Sequence, residues 1–146
     1  MTQSPEVITG LAVAIGVGLL IGIERERAKG SGADRAVAGI RTFTLLGLLG
    51  ALARLVGDDG VLVVGIFVAM AVMGSYRRTR TIDQGLTTEV AMVVTFVLGV
   101  LAVRGAAIAA GMGVLVTLVL AAKSRTHRFT RQALTTQELH ALLLLA

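Results

Sequence analysis

The chain of 146 residues contains no cysteine and no tryptophan, and aromatic residues make up 3% of it. Without cysteine it has neither disulfides nor thiolate metal sites. With so few aromatics it lacks the stacking platforms of a single-strand nucleic-acid binder. The net charge of +5 therefore does not by itself point to nucleic acid. Histidine is scarce too: His127 and His140 are isolated. No P-loop, G-x-S-x-G or H-E-x-x-H pattern occurs, and nothing pairs a nucleophile with a base, so the expectation is a protein that is not an enzyme. There is no D-x-D-x-D loop for calcium. The only proline, Pro5, falls in Ser4-Pro5-Glu6, which reads as a helix start with proline in the first turn.

What is abundant is apolar. Hydrophobic residues make up 55% of the chain and its mean hydropathy is +0.83. Apolar runs of about 16 to 17 residues recur between short basic segments, without the polar face of a soluble core helix. This predicts an all-α fold, a polytopic transmembrane bundle of about five spans over residues 7–23, 40–56, 61–76, 88–103 and 106–122. Each is about 24 to 26 Å long at 1.5 Å per residue. That is slightly short of a ~30 Å hydrocarbon core, a gap that flanking helical turns or local bilayer thinning closes. Gly57-Asp58-Asp59-Gly60 reads as a tight turn between the second and third spans, and Arg104-Gly105 joins the fourth and fifth. Both pairs are then antiparallel hairpins. The first run leads into charge rather than a small-residue cleavage site, which argues against a removable signal peptide.

Loop charge orients the bundle. Arg25, Arg27, Lys29, Arg35 and Arg41 follow the first span, Arg77, Arg78 and Arg80 the third, and Lys123, Arg125, Arg128 and Arg131 the fifth. The opposite ends hold only Arg54 and Arg104. By the positive-inside rule the N-terminus is outside and residue 123 onward is cytoplasmic. His127 belongs to a basic patch facing lipid headgroups. Thr135-Thr136-Gln137-Glu138 fits a capping box, and a strongly apolar helix follows it. That helix either lies in the interface or begins a sixth, truncated span. The chain thus divides into a membrane domain over residues 1–125 and a basic segment with the start of a further helix over 126–146.

Small residues recur every fourth position: Gly10, Ala14, Gly18 and Gly22 in the first span, and Gly105, Ala109 and Gly113 in the fifth. Such stripes let helices approach closely in lipid. They either pack the chain against itself or form the seam of a homodimer.

Polar groups beside a membrane are candidate working residues because their burial is costly. Glu24 and Glu26 stand at the mouth of the first span, Arg41 and Thr42 at the second, and Asp83, Thr87, Thr88 and Glu89 at the fourth. In a compact bundle these mouths converge. Glu24 and Glu26 lie about 200° apart on a helix, so at most one points inward. The other, with Arg25 and Arg27, is then solvated or snorkels to headgroups. Thr87 or Thr88 is expected as the N-cap of the fourth helix, and Glu89 complements its dipole. Arg41 is either an interfacial anchor or an ion-pair partner of Glu24 or Glu89. Hard oxygen donors of this kind suit Mg²⁺ better than Zn²⁺ or copper. No resident cofactor or metal is assigned.

Three stretches carry a family resemblance. Gly18-Leu19-Leu20-Ile21-Gly22-Ile23-Glu24-Arg25-Glu26, Gly39-Ile40-Arg41-Thr42 and Gly85-Leu86-Thr87-Thr88 resemble, in order and spacing, the N-terminal membrane domain of the MgtC/SapB family, from about residue 7 to 122. Phe43 and Glu89 depart from the shorter branch and resemble a larger one, in which a second membrane region follows. The resemblance implies an inner-membrane protein of a bacterium or archaeon, tied to Mg²⁺ homeostasis. It puts weight on Gly22, Glu24, Glu26, Arg41, Thr42, Thr87 and Thr88. The expected role is ion-related or transport-like, with the bilayer and a second copy or another membrane protein as partners. The alternative is a non-transporting regulator that binds another membrane protein.

Overall fold

A computed structural model describes residues 5–29, 38–79 and 86–133. Asp83 and the capping box at Thr135 lie outside the described residues. The elements among the described residues are all helices: α1 (Pro5–Lys29), α2 (Ile40–Val56), α3 (Asp58–Thr79), α4 (Thr87–Ala102) and α5 (Ala106–Ala133).

The helix boundaries depart from the apolar runs in three places. α1 continues to Lys29, through Glu24-Arg25-Glu26-Arg27. Likewise α5 runs past residue 122 into the basic segment and ends at Ala133. Glu, Arg and Lys are good helix formers, so a charged stretch can extend a helix that an apolar run begins. The expected four-residue turn at Gly57–Gly60 is a single-residue break. Gly57 adopts φ +133°, a conformation that favours glycine, and α3 starts directly at Asp58. Asp58 and Asp59 then occupy the positive first turn of α3, where carboxylates are favourable. Gly105 is corrected as well. A Cβ there would meet only Ile108 of the same helix, so Gly105 serves as the start of α5, with its carbonyl accepting from Ala109 N, and packs no neighbour.

The rest of the small-residue pattern is used inside the chain. α1 packs on α2, α4 and α5; among the described helices, α3 touches only α2 and α4. The α1 stripe meets backbone. A Cβ on Gly18 would lie 2.5 Å from the Phe43 carbonyl oxygen, one on Gly22 2.8 Å from Ile40 Cα, and one on Gly10 2.9 Å from the Ala102 carbonyl oxygen. These pairings run α1 antiparallel to α2 and α4. Ala14 is fully buried in a cluster with Ala51, Ala102 and Ala109. Gly113 of α5 faces Val17, which sets α5 parallel to α1. Where α2 crosses α4, Gly47 and Gly99 bring two backbones together with no room for a side chain. Close backbone approach through small residues is the packing mode available in lipid, where burial of apolar surface gains nothing.

The outside is apolar. Leu45, Leu62, Val63, Phe67, Met70 and Val119 are each more than 60% exposed. Exposed apolar side chains on this scale mark a surface that meets lipid or another protein. α1 (Pro5–Ala28) and α3 (Asp58–Arg77) are long and apolar enough to cross a membrane, while α4 and the Ala106–Ala122 part of α5 are shorter apolar helices. α2 has 17 residues. At the end of the bundle that holds the α2–α3 and α4–α5 connections, Asp58 pairs with Arg54 and lies 3.7 Å from Arg104, tying the two hairpins together.

Candidate functional site at the charged end of the bundle

The antiparallel pairing brings the end of α1 beside the starts of α2 and α4. An apolar floor closes this end: Ile21 of α1, Ala38 before α2, Phe43 of α2, Ala91 and Met92 of α4, and Leu120 of α5 share one buried cluster. The ionic side chains stand on its rim.

Ile21 is fully buried. Residues three and four positions further along a helix share its face, and they are Glu24 and Arg25. Glu24 is 9% exposed and Arg25 8%. The expectation for the glutamates holds in its angular part: Glu24 is enclosed and Glu26 is exposed. Yet Glu26 is not merely solvated. It continues the Gly10, Ala14, Gly18, Gly22 row by one step, the row that faces α2. Its Oε2 accepts a hydrogen bond of 3.1 Å from Ile40 N. The N-cap residue Gly39 has no side chain with which to satisfy the first amides of α2, so a carboxylate from another helix does so.

Arg25 is the residue that sequence reasoning missed. It was expected to snorkel, but it is buried and its Nε has no hydrogen-bond partner. The signal that could have found it is its place four residues after Ile21 and eight after Val17, another buried residue. Arg27, two positions on, is exposed as expected.

On α4, Glu89 is the third helical residue and is 8% exposed. It precedes Met92 by three and Phe96 by seven positions, both buried, so it lies on the core face. The N-cap is Leu86, with no side-chain cap bond, rather than Thr87 or Thr88. Thr87 and Thr88 fall instead in the first turn and are half-buried, as is Thr42 on α2. Arg41 is exposed and makes no ion pair among the described residues. The structure therefore gathers Glu24, Arg25, Glu26, Thr42, Thr87, Thr88 and Glu89 at one end and leaves Arg41 facing outward.

Two helix N-termini, each a partial positive charge, open at this end together with the Arg25 guanidinium. Three carboxylates oppose them. Such a set offers acceptors and donors to a small ion or a proton but no closed metal cage: among the described residues, no group of three His, Cys, Asp or Glu is placed to hold a metal ion.

An all-helical bundle with an apolar exterior and charge enclosed at one end is the architecture of a membrane protein. The chain belongs to the MgtC family, whose model matches residues 11–129. No curated protein and no solved structure matches it.

Proposed function

We propose that this protein is an inner-membrane bundle of five spans with an ion-related role in Mg²⁺ homeostasis, and that the charged end is its working part. Enclosed charge next to a membrane is costly and is retained where an ion or proton is handled. The observation that carries this reading is the burial of Glu24, Arg25 and Glu89 at one end of the bundle. Mg²⁺ keeps most of its water and needs only one or two carboxylates from a protein, so Glu24 and Glu89 suffice for a passing hydrated ion without a resident site. In this reading the N-terminus is outside, the charged end is cytoplasmic, and no covalent chemistry is performed.

Reconstitution in liposomes tests the proposal. Wild-type protein takes up Mg²⁺ above empty vesicles, and Glu24→Gln and Glu89→Gln, checked for intact folding by size exclusion, reduce uptake at least tenfold. Unchanged flux in both variants removes the carboxylates from the mechanism.

A non-transporting regulator is the second reading, and one feature favours it. Among the described residues of α3 only Val68 is buried, with Val61, Val64 and Val72 partly buried against the core, while Leu62, Val63, Ile66, Phe67, Met70 and Met73 face outward. A partner membrane protein would meet α3 rather than the α1 stripe, which α2 and α4 already occupy. Wild-type flux at background, with a cross-linked partner lost on Phe67→Ala, would favour this reading.

A further inference from the structure

We propose that the seam between α1, α2 and α4 at the charged end binds an oxyanion of the phosphate class, with Arg25 as its charged anchor. The inference is independent of the Mg²⁺ reading and concerns a second ligand at the same end. Its starting point is a buried donor without an acceptor: Arg25 is 8% exposed, yet its Nε has no hydrogen-bond partner. A guanidinium withdrawn from water is costly until an acceptor completes it.

Helix contacts fix which seam Arg25 faces. On α1 it falls between Ile21 and Gly22, about 40° from the first and about 60° from the second. Ile21 shares a buried cluster with Ala91 and Met92 of α4. Gly22 lies against Ile40 at the start of α2. Arg25 is therefore aimed between the starts of α2 and α4. Glu26 next to it bonds Ile40 N, which holds α1 to α2 beyond Gly22.

The same contacts fix what stands opposite. α1 and α4 run antiparallel and meet where Gly10 touches Ala102 and Val103. Arg25 lies as far along α1 from Gly10 as Thr88 lies back along α4 from Val103, so the two are level. On α4, Thr88 falls within about 40° of Thr95, Gly99 and Ala102. Thr95 is fully buried, Gly99 meets Gly47 of α2, and Ala102 meets Gly10 of α1. Thr88 thus faces the seam that holds Arg25. It is the second residue of α4, whose N-cap Leu86 makes no side-chain cap bond. Its first-turn amide and its hydroxyl join the guanidinium at a positive helix end.

The carboxylates open onto other seams. Glu24 continues the line of Val17, which faces Gly113 of α5. Glu89 continues the line of Phe96, which packs with Val68 of α3 and against Gly65. What remains beside Arg25 is a set of donors of different kinds. A phosphate group has enough acceptor oxygens to take the guanidinium fork, the hydroxyl and the amide together.

Inorganic phosphate is the probe. Protein in a phosphate-free maltoside detergent is titrated with radiolabelled orthophosphate at constant ionic strength. Wild type binds it saturably, and sulfate competes. Arg25→Gln weakens binding about tenfold or more, the order of a lost charge-assisted hydrogen bond. Thr88→Val weakens it about threefold, and Arg27→Gln, on the exposed side of α1, leaves it unchanged. Thermal midpoints establish that each variant is folded, and Thr88→Val carries the test if Arg25→Gln is not. Short-chain phosphatidylglycerol distinguishes the sources: displacement of the label assigns the site to a lipid headgroup, and retention assigns it to the free ion. Absence of saturable binding, or binding of wild-type strength in folded Arg25→Gln or in Thr88→Val, overturns the proposal. Mg²⁺ uptake is read separately, so either reading can fail without the other.

Discussion

Arg25 and Arg27 are two residues apart on α1 and carry the same charge, yet Arg25 is enclosed and Arg27 faces outward. The difference is angular: Arg25 follows Ile21 by one helical turn, and Arg27 does not share that face. Truncating Arg25, a long side chain enclosed at 8% exposure, empties space in the packed end of the bundle and costs about 1 to 3 kcal/mol. Truncating the exposed Arg27 stays within about 0.5 kcal/mol. Denaturation of detergent-solubilised Arg25→Ala and Arg27→Ala measures the contrast, and equal midpoints would refute the burial of Arg25. The separation of Glu24 from Glu26 was legible in the sequence because it follows from helix geometry alone. The burial of Arg25 and the bond from Ile40 N to Glu26 were not. Both depend on where α2 and α4 come to rest, and a run of alternating charges carries no record of that.

The helices themselves divide by how their glycines are used. Gly18 lies against the α2 backbone, whereas a Cβ on Gly16 would meet nothing within 4 Å. Gly18→Ala should therefore force α1 away from α2 and cost about 1 to 3 kcal/mol. Gly16→Ala should be neutral or stabilise by up to about 1 kcal/mol through helix propensity. Thermal midpoints of the two variants in detergent check the pair, and similar loss in both would mean that the stripe does not carry the α1–α2 contact. The stripe on α1 was readable as a packing device, but not whether it met its own chain or a second copy. Helix centres were readable from apolarity. Helix ends at Asp58, Lys29 and Ala133 were not, because apolarity records the reach of the hydrocarbon and charged residues continue a helix beyond it.

The whole molecule is organised by the alternation of helix directions. The end of α1, the starts of α2 and α4, and the ends of α3 and α5 fall together, so Arg25, Arg27, Arg41, Arg77 and the α5 extension occupy one end. Arg54, Asp58, Asp59 and Arg104 occupy the other. With α2 and α4 at 17 and 16 residues, each core is about 24 to 26 Å long, and the crossing proposed for them would rely on polar flanks and a slightly thinned bilayer. The all-helical fold and the family were legible in the sequence, since apolar runs and the three motifs are local features. That all mouths share one end was an inference from loop charge, which the helix pairings now support independently. The central claim is that the helices cross, with the basic end inside. The natural absence of cysteine allows a direct measurement: single cysteines at the exposed positions Arg27, Asp59, Arg77 and Arg104, probed in intact cells with a membrane-impermeant maleimide. Asp59→Cys and Arg104→Cys should label at once, and Arg27→Cys and Arg77→Cys only after permeabilisation. Labelling of Arg27→Cys and Asp59→Cys from the same side would show that α2 does not cross and would contradict the account.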